Sequence, residues 1–237
     1  MGFLKKASDS IESTTNKKPQ PSKAGDGRNE ESLRKALDRG IKSLKSHKSG
    51  DFDAIIPPEA SDEPAPKNAQ VQKEMNSYCQ EVATLKFIGK MGHVDIYAGR
   101  SVDQSQLNNF FADNKDSLVT FYGLIIDELG NGVFGINSQS ATLHIYFDPE
   151  SATIAFNRNH SLFFNFAYFL ANNHHVILKD RSSDPKSIQR CKSFWFMTFC
   201  HELAHNFVSD HNAHHEYYMS SFAETYLPDL IDVIKKE

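Results

Sequence analysis

The chain joins two stretches with different hydrophobic patterns. Residues 1 to about 75 are polar throughout, rich in Lys, Ser, Asp, Glu and Pro, with PPEASDEPAPK at 57–67 and almost no aromatic side chain. Such a stretch buries too little apolar surface to offset the entropy of ordering, and it predicts a disordered arm. One island interrupts it. From Asn29, a helix-capping residue, Leu33, Leu37, Ile41 and Leu44 recur on one helical face over about 29–47. The pattern fits a transient solvated helix, or a helix that docks on a partner or on the folded part.

From about residue 76 the aromatics and histidines begin, and 76–237 is the predicted folded domain. Residues 72–84 read as helical, then LKFIGK and HVDIYAG as two short strands around Met91-Gly92. Residues 106–113 suggest a helical turn, and Asp116 opens a stronger helix through LVTFYGLIIDEL that Gly130 ends. TLHIYFD and ATIAFNR, flanking Pro149-Glu150-Ser151, predict a β-hairpin. SLFFNFAYFLAN, at 161–172, suits a buried strand by its aromatics and a helix by its length. After a polar loop at 180–185, Asp184 or Ser187 starts a long helix through IQRCKSFWFMTFCHELAHNF, with Trp195, Phe196, Phe199 and Leu203 facing the core. A further helix runs from about His215 to the region of Pro228, followed by a last piece, LIDVIKKE. The expected fold class is α+β: a small mixed or antiparallel sheet packed on helices, beside a disordered N-terminal arm.

Composition narrows the function classes. A net charge of −4 with pI near 6.3 gives no global pull toward nucleic acid or anionic membrane, so a nucleic-acid partner is disfavoured. Cys79, Cys191 and Cys200 are sparse, odd in number and without a CxxC pair, which fits a reducing compartment, cytoplasmic or nuclear. The N-terminus has no signal-peptide core, no segment reaches transmembrane length, and Lys6 stands where a myristoylation signal has Ser or Thr after Gly2.

The chemistry concentrates in His201-Glu202-Leu203-Ala204-His205. On a helix, residues four apart share a side, so both imidazoles reach one zinc ion. Glu202, turned away from them, is placed to deprotonate a water held by the metal, as general base. A catalytic zinc needs a third protein ligand, for which two residues compete. His211 follows His205 by six positions and needs only a bend after the helix. Glu224 lies on the next helix at the separation that gluzincins use. Metzincins, whose ligand spacing this segment resembles, place Gly where Val208 stands, so the bend for His211 is expected at Ser209-Asp210 instead. His214 and His215 are read as surface residues or as support around the ligands. Cys200 is read as a buried thiol, and His144 and His160 as strand residues. Tyr217, Tyr218 and Tyr226 supply phenols near the motif, none singled out.

The spacing HExxHxxxxxH is similar to that of metzincins and of WLM-type and SprT-like metalloproteases, a resemblance confined to the active-site segment. Beyond it, IAFNRNHSLFFNFAYF followed by SFWFMTFCHELAHNFVSDHNAHHEYYMSSFAETYLP resembles the C-terminal region of large sacsin-like proteins that begin with a GHKL-type ATPase module, over roughly residue 80 to the end. The first likeness implies a zinc-dependent metallopeptidase acting on a protein or peptide, with a zincin-like active-site helix. The second implies partner-dependent chaperone or quality-control work; the alternative to a peptidase is a non-catalytic interaction module in which zinc merely stabilises the fold and the N-terminal arm recruits a protein partner.

Overall fold

The computed structural model describes residues 27–45, 85–99, 102–180 and 184–236. The predicted helix at 72–84, most of the predicted disordered arm, and Cys79 lie outside them. The chain divides into two units, 1–35 and 36–237. The first contributes only the opening of helix α1 (Gly27–Lys42), where Glu31 and Lys35 pair one turn apart. That helix starts before Asn29 and stops before Leu44, so it is shorter at its C-terminal end than its apolar spacing suggested.

All other elements belong to the second unit. Strands β1 (Leu85–Met91), β2 (Val94–Gly99), β3 (Leu143–Phe147), β4 (Ala155–Arg158) and β5 (Ser161–Asn165) form one sheet in the order β1-β2-β3-β5-β4. The sheet is mixed: β1–β2 and β4–β5 are antiparallel, β2–β3 and β3–β5 parallel. The expected hairpin across Pro149-Glu150-Ser151 does not form, because β5 lies between β3 and β4. The hairpin is β4–β5 instead. Its two-residue turn, Asn159-His160, has both residues at positive φ (51° and 65°), the twist that closes a tight antiparallel pair. The ambiguous run at 161–172 is both things in succession, β5 and then α4 (Phe166–Ala171), with Asn165 capping the change of direction by accepting from the N–H of Ala167.

Helices α2 (Gln104–Asp113) and α3 (Lys115–Tyr122) lead into a π-helical segment, Gly123–Val133. The predicted stop at Gly130 is displaced to Gly135, which takes the left-handed φ of 64° and donates its N–H to the Asn131 carbonyl. Gly130 serves close packing: a β-carbon there would run into Leu143 of β3 and the carbonyl of Ile125. After α5 (His174–Lys179) come the two helices that carry the site, α6 (Pro185–Ala204) and α7 (Ala213–Lys235). Helix α7 continues through Pro228, where a break was expected. Phe222, Tyr226 and Leu230, four apart and buried, anchor it on both sides of the proline, outweighing a lost hydrogen bond of about 3 kcal/mol.

The core lies between the sheet and α6. Trp195, Phe196, Phe199 and Leu203 are buried, with Phe199 4.4 Å from Phe164 of β5 and Trp195 5.1 Å from Phe121 of α3, centroid to centroid. Alternate residues of the same strands, Tyr97, Tyr146, Phe156 and Phe163, form a second buried cluster. His144 belongs there, stacked on Phe163 and edge-on to Tyr97. This packing fixes α6 along its length and so fixes the direction in which its C-terminal turn projects. Among the described residues no helix is long and apolar enough to cross a membrane.

Candidate metal centre

Helix α6 ends at Ala204, with His205 as its C-cap in a helical conformation (φ −63°, ψ −16°), so the i,i+4 register of His201 and His205 is kept. The chain then turns through 205–212 with bends at Ser209 and Asp210. Val208 is not at positive φ. The direction changes where Ser and Asp allow it, and His211 returns to the helix. Asn212 then caps α7, its side-chain oxygen accepting from the N–H groups of His214 and His215.

Four imidazoles meet as a result. The metal-binding atoms of His201, His205, His211 and His215 all lie within 4.8 Å of one another. Ring centroids are 5.1 Å apart for His201–His205, 5.0 Å for His201–His211 and 4.8 Å for His205–His211. His215 stands 4.5 Å from His201, 4.3 Å from His205 and 5.0 Å from His211. The Nε2 atoms of His201 and His211 are 3.0 Å apart. With bonds of about 2.0–2.1 Å, nitrogens around a tetrahedral zinc lie about 3.3 Å apart, so this group needs only small side-chain adjustments to hold one.

Protonation agrees with that use. Burial, reinforced by the neighbouring imidazoles, lowers His201 to about 3 and His205 and His215 to about 4; burial also lowers His211, against the raising effect of Asp210. At neutral pH all four rings are neutral, the form that ligates. Backbone groups orient two of them. His205 Nδ1 sits 3.1 Å from the Val208 carbonyl, an arrangement that directs Nε2 into the group, and the ring of His215 hydrogen-bonds the backbone of His201.

Glu202 is 2% exposed and points away from solvent, beneath the edge of the sheet. The backbone N–H of Asn157 on β4 hydrogen-bonds its carboxyl group, while the Asn157 side chain donates to the Glu202 carbonyl at 2.8 Å and to Asn206 Oδ1 at 2.7 Å. The other carboxyl oxygen of Glu202, Oε2, has no hydrogen-bond partner among the described residues. Burial holds the acid well above the ordinary glutamate range.

Comparison with protein-family models, curated proteins and solved structures finds no match. The four imidazoles and Glu202 are therefore the basis for a functional reading.

The two residues competing for the third ligand position part company here. His211 joins His201 and His205; Glu224 is exposed on α7 and stands outside the group. Nine residues at about 100° each place Glu224 on the opposite side of that helix from His215. His215, read from the sequence as surface or support, is in the group and 2% exposed; His214 is exposed. Asn157 and Asn206 also escaped sequence reading, although the Asn after HELAH is in plain view. Asn206 accepts from Asn157, lies 3.1 Å from His160 Nδ1 and donates to the Gly40 carbonyl at 2.9 Å. It thereby ties the end of α6 to the β4–β5 turn and to α1. Cys200 is fully buried, its thiol pushed far up by burial. Tyr226 donates to Asp38, Tyr218 stacks on Phe207, and Tyr217 is exposed. A cavity of about 230 Å³ lined by Ile88, Met91, Leu107 and Phe111 contains none of the imidazoles.

Proposed function

We propose that this protein is a zinc-dependent metallopeptidase in which His201, His205 and His211 hold the metal and Glu202 is the general base. What supports the reading is the convergence of the three imidazoles beside the end of α6, all neutral, with the orientation of His205 set by a backbone hydrogen bond. Zinc in such a centre supplies Lewis acidity toward a water and a scissile carbonyl. Glu202 takes the proton of the attacking water and returns it to the departing amine; burial favours its protonated form, and the positive charge of a bound zinc would favour the carboxylate that this role requires. Asn157 holds Glu202 from the strand side, and β4, one of the sheet's two edge strands, packs beside α6, where an extended peptide substrate would pair with it. Glu202→Gln is expected to lower hydrolysis of casein or a peptide library by about 10²–10⁴-fold with zinc content unchanged. Equal turnover by the wild type and the variant would sink the proposal.

A second reading, a non-catalytic zinc-stabilised interaction or chaperone-associated module, is favoured by one observation. A fourth imidazole, that of His215, stands close enough to the other three to take the position that a catalytic zinc would keep open. On that reading Glu202→Gln is silent, and His205→Ala lowers the melting temperature by removing the metal.

A further inference from the structure

We propose that His215 is a fourth zinc ligand which closes the centre at rest, so that any hydrolysis requires its withdrawal. The inference rests on the metal site argued above and adds to it the state of the coordination shell. Three observations carry it. His215 is 2% exposed, yet its Nε2 has no hydrogen-bond partner among the described residues. A buried nitrogen without a partner is destabilising, and a bound metal ion would supply the missing partner. Its ring is as near to His201 and His205 as any other ring in the group, at 4.5 and 4.3 Å. Finally, the backbone of His201 holds the ring, the outer-shell contact that fixes the orientation of a ligating histidine.

The same geometry makes His215 the ligand that leaves. His201 and His205 are held by α6, whose core face is buried against the sheet. His215 sits in the first turn of α7, after a bend of exposed and half-buried residues, and Asn212 caps that turn. Displacing one turn of α7 disturbs less packing than displacing α6. Four imidazoles leave a tetrahedral ion no vacant position, whereas three leave one.

The test is made on the full chain loaded with Co²⁺, whose visible absorption reports coordination number, titrated with azide. The wild-type spectrum is expected to be unmoved by azide, and that of His215→Ala to shift on its addition. A wild-type spectrum that responds to azide as His215→Ala does would overturn the proposal. Should His215→Ala fail to fold, zinc X-ray absorption on the wild-type protein decides: four imidazoles support the closed centre and three refute it. A chain that binds no stoichiometric metal refutes the metal site and this inference together. A closed wild-type centre beside a folded, metal-loaded His215→Ala variant that hydrolyses no peptide refutes the peptidase reading alone.

Discussion

Trp195, the chain's single tryptophan, donates its indole N–H to His174 Nδ1 at 3.1 Å, and that bond requires an unprotonated Nδ1. Burial, with His175 acting in the same direction, holds His174 below the ordinary imidazole value of 6.5. On acidification the unfolded chain therefore takes up this proton before the folded one, so His174's contribution to stability is complete above about pH 6.5 and declines below it. Trp195 fluorescence should change over the same interval below 6.5, and His174→Phe should remove that pH dependence. Glu224→Ala is expected to keep stoichiometric zinc while His201→Ala loses it, as read by metal analysis of the purified proteins. Zinc lost from Glu224→Ala would return that residue to the ligand set.

The elements show which parts of the fold local sequence could specify. The HExxH pair was legible because α6 supplies both residues at fixed spacing, and its Trp195, Phe196, Phe199 and Leu203 stripe was legible for the same reason. His215 was not. Its arrival depends on where the chain bends at Ser209-Asp210 and on the phase at which α7 begins, which tertiary packing sets. The misplaced hairpin has a similar origin: alternation marks a strand but does not name its partner, and β5 takes the place beside β3. The decisive local signal was Asn159, since Asn tolerates the left-handed region. Asn159→Gly is accordingly expected to be nearly neutral, and Asn159→Val to cost about 1–2 kcal/mol in denaturant unfolding. Equal midpoints for the two variants would mean that this turn is not what holds β4 against β5.

Across the molecule, the end of α1 is built into the second unit. Leu37 is fully buried, Tyr226 donates to Asp38 at 2.7 Å, the Lys45 N–H donates to the His160 carbonyl at 2.8 Å, and Ser161 Oγ donates to the Lys45 carbonyl at 2.6 Å. These contacts bury the end of the leucine-spaced island within the second unit. Gly40 makes the approach possible, because a β-carbon there would strike the Phe207 ring, itself stacked on Tyr218. Gly40→Leu should lower stability by about 1–3 kcal/mol through overpacking, measured as a shift in melting temperature. An unchanged melting temperature would show that the α1 segment is dispensable.

The four imidazoles also share a property of sequence rather than of space: all fall between His201 and His215. Closing so short a loop costs an unfolded chain little, so on the zinc reading proposed above the denatured protein would itself capture the ion. Metal bound to both states stabilises the fold by less than its affinity for the native site alone would give. Zinc should therefore raise the melting temperature only modestly for its affinity, and a synthetic peptide spanning residues 199–217 should compete for the ion. During synthesis the same locality would let this segment seize its metal before the helices around it have settled.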